Sequence, residues 1–204
     1  MVQYKAPVKD IKFLMNDVYN FQEHYQTIPG GDEATPEMVD MILEAAASFS
    51  EDVVAPLYQS GDDGCTFDNG EVTTPKGFKE AYAQYVEGGW QSMATPVEYG
   101  GQGLPMSLAL AKSEMIGTAN WSWGMYPGLS LGAMNTIWMH GTEEQKQEFF
   151  VPLSDGRWMG TMCLTEPQCG TDLGQVKTKA EPNADGSFNI TGTKIFISSG
   201  EHDL

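Results

Sequence analysis

Apolar residues recur at every third or fourth position through the first three quarters of the chain, a spacing that predicts helices joined by turns rich in Pro and Gly. Residues Pro7 to Tyr19 put Ile11, Leu14, Met15 and Val18 on one side, and Pro29, Gly30 and Gly31 mark the loop that follows. Thr35 then Pro36 reads as a helix start, because the hydroxyl accepts a first-turn amide and proline has no amide to leave unpaired. Met38, Ile42, Ala45, Ala46, Phe49 and Val53 carry that helix toward Pro56. Thr74 and Pro75 repeat the start ahead of a stripe of Phe78, Tyr82 and Tyr85 that ends near Gly88 and Gly89. Pro105 opens a helix through Leu108, Leu110, Ala111, Met115 and Ile116, and an uncharged one covers much of Gly128 to Met139. Thr142 and Gln145 form a capping box, after which Phe149, Phe150 and Leu153 supply an apolar face.

After Gly156 the period drops from near 3.6 to near 2, which predicts a change from helices to strands. Candidate strands are Trp158 to Leu164, Gln175 to Glu181 and Ser187 to Ser198, with a turn at Asn183 to Gly186 and a break or bulge at Gly192. Two or three strands expose an edge and a face, so the sheet is expected to need partners, and the chain is expected to be the front part of a longer protein. The fold class is therefore α+β: an N-terminal α-helical bundle, then the start of a barrel-like β-sheet domain.

Met115 to Met139 has no charged residue and is long enough to cross a bilayer. Thr118, Asn120, Ser122, Pro127, Ser130, Asn135 and Thr136 dilute it, so a helix surrounded by other helices is expected instead of a membrane span. Hydrophobic residues make up 41% and charged ones 19% of 204 residues, a globular rather than a disordered composition. Eleven basic against 28 acidic residues give a net charge of −17, which repels phosphate backbones and excludes nucleic acid as an expected partner. Cys65, Cys163 and Cys169 are odd in number and irregularly spaced, and the opening residues have no secretory apolar run, so a reduced, cytoplasmic protein without a metal site is expected.

The densest chemistry lies between Trp158 and Ala180, where a strand runs into a turn holding Thr165, Glu166, Pro167, Gly170, Thr171 and Asp172. Amides and hydroxyls at a strand end suit the electron-rich edge of a redox flavin, which gains negative charge on reduction. The later run Gly192 to Asp203 alternates, so Ile195 and Ile197 are expected to face one way and Phe196 and Ser198 the other. An aromatic ring beside a hydroxyl suits a flat cofactor that also hydrogen-bonds. Glu166 is expected to hold backbone amides rather than to act on substrate. Gly100, Gly101 and Gly103 fit neither a dinucleotide nor a Walker pattern and read as a tight turn.

The order of these motifs resembles the acyl-CoA dehydrogenase family, whose middle β domain carries TEP-x-x-G-[ST]-D and later G-x-K-x-[FW]-I-[ST]. Thr165 to Asp172 and Gly192 to Ser198 match them, and VEYGGQGLP at Val97 to Pro105 with the capped GTEEQKQEFF helix resembles the helical domain. The opening YKAPVKDIKFLMNDV is similar to an extension in the larger bacterial branch, which includes fatty-acyl-CoA and methylmercaptopropionyl-CoA dehydrogenases. The resemblance implies an extension at 1–33, a helical domain at 34–156 and the start of the middle domain at 157–204, with the C-terminal helical domain absent. It implies FAD as cofactor, lined by Met162, Leu164 and Thr165, with Ser198 near N5 and Phe196 beside the ring. Thr171 would sit where acyl-CoA meets the cofactor, and within a stretch that otherwise reads as filled helical core, some of Trp121, Trp123, Met125, Tyr126 and Leu129 would border the acyl tunnel.

The implied reaction is α,β-dehydrogenation to a trans-2-enoyl-CoA, with a base expected beyond Leu204. The implied partners are acyl-CoA, a flavoprotein electron acceptor and further copies in a homodimer or homotetramer. Relatives commonly carry Ser, Trp and Thr where this chain has Thr171, Phe196 and Ser198, which keeps the hydroxyls and the aromatic but leaves the CoA contact and the polarity near N5 open. Acyl-CoA oxidases and flavin monooxygenases share the scaffold, and a non-catalytic helical interaction module is the alternative from another class.

Overall fold

The computed structural model describes residues 3–204, so the first two residues of the predicted extension lie outside it. Helix α1, Val8–Phe13, continues as a π-helical turn over Leu14–Val18, and a short α2, Phe21–Tyr25, follows. Only Ile11 and Met15 of the predicted face are buried; Leu14 and Val18 point outward. Two ion pairs from Lys12, to Asp40 and to Glu44, lay this segment along the next helix.

That helix, α3 at Pro36–Ser48, starts where the sequence predicts: the Thr35 hydroxyl accepts from the Met38 amide at 3.2 Å. Its buried row is Val39, Leu43, Ala46 and Ala47; Ala46 and, just beyond, Phe49 are buried as predicted, whereas Met38 and Ala45 are exposed and their neighbours Val39 and Ala47 are buried in their place. Ala46 and Ala47 carry little side chain, so α6, Met106–Ala119, packs closely there through Leu108, Ala111 and Met115. A π-helical turn at Phe49–Val54 and a short α4, Tyr58–Asp63, lead to a ribbon of β1, Thr66–Asp68, and β2, Glu71–Thr73. Its two-residue turn has both centres in the left-handed region, Asn69 at φ 50° and Gly70 at φ 93°. Asn-Gly is the residue pair that adopts this turn most cheaply, so the ribbon was readable in the sequence and was not among the predicted strands.

Helix α5, Phe78–Glu87, begins four residues after Thr74, with left-handed Gly77 at its cap, so Thr74 does not cap it as expected. Helix α7, Trp121–His140, is longer than the predicted Gly128 to Met139 and carries Pro127 in its interior. Asn120 makes the earlier start possible: it is extended, and its side-chain oxygen accepts from the Trp123 amide at 3.2 Å. Phe49, Phe78, Tyr85 and Trp123 form an aromatic core between α5 and α7. The predicted capping box at Thr142 and Gln145 is present at the start of α8, Glu143–Gln145, and a π-helical turn at Lys146–Phe150 joins it to α9, Val151–Ser154.

Beyond α9 regular structure is sparse. Strands β3, Lys179–Pro182, and β4, Phe188–Thr191, pair antiparallel, with every residue exposed. The predicted strand at Trp158 to Leu164 is reduced to one pairing, Met162 with Ser198, and Gln175 lies in a 3-10 turn. Strand β4 stops just before Gly192, where a Cβ would come within 2.0 Å of the Thr178 hydroxyl oxygen. The chain needs glycine there because two segments pass too close for a side chain. None of the helices in the described residues is long and apolar enough to cross a membrane.

Candidate functional site

The Thr165 turn is built around one carboxylate. The amides of Glu166 and Cys169 each donate to the other residue's carbonyl, at 2.9 and 3.0 Å, closing a tight loop over Pro167 and Gln168. The Glu166 side chain folds inward, 3% exposed, and accepts from the Lys177 amide at 2.8 Å, the Thr178 amide at 3.0 Å and the Lys194 ammonium at 2.8 Å. A buried carboxylate is tolerated only when so many donors meet it. The Lys194 contact, followed by those of Thr178 and Lys177, holds its pKa far below the usual carboxylate range. Glu166 thus has the amide-holding role its sequence suggests, and its pairing with Lys194 is what the sequence alone did not give.

Lys194 also donates to the Leu164 carbonyl at 3.0 Å, and the Ile195 amide donates to the Thr165 carbonyl at 2.9 Å. A little further on, Met162 pairs with Ser198, and the Thr161 hydroxyl donates to the Ser198 carbonyl. Met162, Leu164, Thr165 and Ser198 are therefore brought together from two segments. Phe196 leaves this pattern: its backbone is left-handed at φ 55°, its ring is 87% exposed, and the predicted alternation of Ile195 to Ser198 is lost. Alternating sides requires extended backbone at every step, and one positive φ breaks it. Thr171 lies on the exposed turn beyond Cys169, its carbonyl accepting from the Leu173 amide, with no hydrogen bond to the Thr165 cluster.

Among the described residues the Leu164 and Thr165 amides have no backbone partner, and the hydroxyls of Thr165, Ser198 and Thr171 make no hydrogen bond. They lie on exposed or half-exposed residues, where a ligand can reach them. Beside them Met162 and Leu164 are exposed by 54% and 39%. Free N–H and O–H donors next to apolar side chains are the donor set that a flat, electron-rich heterocycle requires, so the residues present fit a flavin edge.

The helical layer contributes a cleft of about 320 Å³ between α6 and α7, lined by Leu110, Ile116, Trp121, Met125 and Leu129 among others. Of the five candidates for an acyl tunnel, Trp121, Met125 and Leu129 meet this cleft. Trp123 is fully buried in the aromatic core, its indole N–H donating to the Phe78 carbonyl at 3.2 Å, and Tyr126 is buried as well. Lys112 also borders the cleft. It is 3% exposed, donates to the Tyr85 hydroxyl at 2.8 Å and the Trp90 carbonyl at 3.2 Å, and has no carboxylate within ion-pair distance among the described residues. Burial lowers its pKa to about 8. Its signal in the sequence was a lone charge four residues after Leu108, on the buried side of a helix. The three cysteines are free, and no group of His, Cys, Asp or Glu among the described residues is arranged to hold a metal.

Comparison with known proteins matches residues 36–157 to a family model described as acyl-CoA dehydrogenase, N-terminal domain. The 3-methylmercaptopropionyl-CoA dehydrogenase of Ruegeria pomeroyi is 41% identical over 202 residues, which cover 98% of this chain and 34% of that protein. A butyryl-CoA dehydrogenase of Syntrophomonas wolfei is 32% identical over 206 residues, again 98% of this chain and 34% of the relative. The chain thus spans about a third of the length of the curated relatives it matches. Among solved structures, butyryl-CoA dehydrogenase from Megasphaera elsdenii aligns with a TM-score of 0.67 at 28% identity, over 81% of this chain and 42% of that one. An acyl-CoA dehydrogenase complexed with FAD from Bacillus anthracis aligns with a TM-score of 0.66 at 26% identity, over 84% of this chain and 28% of that one.

Proposed function

The chain belongs to the acyl-CoA dehydrogenase family, and from that membership we propose that it supplies the flavin-edge turn and the acyl cleft of an FAD-dependent enzyme that converts acyl-CoA thioesters to trans-2-enoyl-CoA. The observation that carries this reading is that Leu164, Thr165 and Ser198, whose donors have no partner within the described residues, are gathered in one place beside Met162. When bound, FAD supplies the two-electron acceptor. In this proposal the Leu164 amide and the Thr165 hydroxyl would hold the pyrimidine edge of the flavin, Ser198 would stand near N5, Met162 would line the flavin and Phe196 would pack beside the ring. Thr171 meets the acyl-CoA, whose chain enters the cleft along Trp121, Met125 and Leu129.

Glu166 takes no part in moving the α-proton. Its oxygens are occupied by Lys194 and two amides, and a carboxylate held at so low a pKa does not accept a proton near neutral pH. In this proposal the α-proton goes to a base other than Glu166. The reading also includes the division at residues 1–33, 34–156 and 157–204, a cytoplasmic location, a flavoprotein electron acceptor and a homo-oligomer.

Replacement of Thr165 by Ala tests it. Loss of one edge hydrogen bond costs about 0.5–1.5 kcal/mol, so the FAD dissociation constant should rise by roughly two- to tenfold, measured through flavin fluorescence. An unchanged constant would contradict the assignment.

A further inference from the structure

Asp203 reaches from beyond the Ser198 segment into the helical layer. Its Oδ1 accepts from both donors of Thr74, the amide at 2.9 Å and the hydroxyl at 2.6 Å, and its Oδ2 lies 3.8 Å from the Lys79 ammonium. Thr74 is buried, 6% exposed. Because α5 is capped at Gly77, Thr74 sits ahead of the helix with its two donors free for another segment. The neighbours of Asp203 dock as well: the His202 ring meets Tyr126 edge-on at 5.4 Å, and Leu204 packs against the aromatic core of α5 and α7.

Ser198 is consequently held from two directions. On one side Met162 and Thr161 fix its backbone to the Thr165 turn. On the other, Asp203 follows it by five positions, a tether of about 18 Å at full extension. We propose that Asp203 is a positioning residue, which through Thr74 fixes the Ser198 hydroxyl relative to the α6–α7 cleft. The inference rests on the flavin reading of Ser198. Its physical basis is that, within a few residues of Ser198, Asp203 is bonded to Thr74 and the His202 ring meets Tyr126, so the Ser198 segment is tied directly to the helices. Small displacements between cofactor and substrate weigh heavily in such a site.

The test uses the FAD-loaded protein with Asp203→Asn, Thr74→Val and the double substitution. A non-reacting acyl-CoA thioether is titrated while the visible flavin absorbance is followed, and thermal unfolding is recorded alongside. Each single variant should retain FAD, weaken the thioether about tenfold and lose most of the absorbance shift, and the double variant should be no worse than the worse single one. A folded Asp203→Asn protein with the wild-type shift and affinity overturns the inference, even if its melting temperature has fallen, since that is the outcome of a purely structural tie. If Asp203→Asn does not fold, Thr74→Val decides by the same criterion, because it keeps the amide donor. Wild-type protein that takes up no FAD overturns the flavin reading and this inference together; wild type that takes it up, with variants that respond identically, overturns the inference alone.

Discussion

Trp123 offers the sharpest separation of core from cleft on α7. Its side chain is fully buried, with Phe49 and Tyr85 packed edge-to-face at 5.9 and 5.6 Å between ring centres. In Trp123→Phe the indole N–H that donates to the Phe78 carbonyl disappears, at a cost of about 1 kcal/mol. Two ring carbons also go, at about 0.8 kcal/mol each for lost burial. The sum is roughly 2.5 kcal/mol, which for a protein of this size lowers the melting temperature by about 5–10 °C. In urea it moves the unfolding midpoint by about 1 M. A midpoint shift under about 0.2 M would refute the placement of the indole in a filled core. The companion variant, Trp121→Ala, removes a ring that is 68% exposed at the cleft. It should change stability by less than about 0.5 kcal/mol and weaken acyl-CoA binding, whereas Trp123→Phe should leave the order of preference among acyl chains unaltered.

Lys112 gives a pH signature. In the unfolded chain its ammonium keeps the proton to 10.5, whereas burial lets it go near 8 in the folded protein. Between those values the unfolded state binds more protons, so stability rises with pH, and the gain is lost again as pH falls from 10.5 through 8. Relative to Lys112→Met, the wild-type urea midpoint should climb from pH 7.5 to 9.5, the full window being worth roughly 3 kcal/mol; parallel midpoints would show that the ammonium is not desolvated. Gly70→Ala should cost about 1–2 kcal/mol through its φ of 93°, since no atom stands within 4 Å of the added Cβ; a cost near zero would show that the ribbon turn has another conformation.

Much of the helical layer can be read from residue spacing. Thr35 with Pro36 and Thr142 with Gln145 place two helix starts correctly, because a cap is a contact between residues three apart and needs nothing from the rest of the chain. Ala46 and Phe49 of the predicted α3 stripe are buried, but Val39, Leu43 and Ala47 take the places expected for Met38, Ile42 and Ala45, because the fit against α6 decides the buried row and hydrophobicity alone does not reveal it. The alternation from Ile195 to Ser198 failed at one positive φ, and Thr74 failed as a cap because it is bound to a residue 129 positions away.

The Thr165 and Ser198 motifs show the same division. Sequence by itself determined which residue types stand at Thr165 and Ser198, and that Glu166 belongs to a turn where donors abound. Only the tertiary structure decided that Lys194 is the cation facing Glu166, that Trp123 is core while Trp121 borders the cleft, and that Asp203 ties the Ser198 segment to α5. Caps, turns and periodic stripes are local and carry their own short-range geometry. A buried ion pair or a long-range clamp exists only after the backbone has brought distant residues within about 3 Å, and which partner arrives depends on how the layers pack.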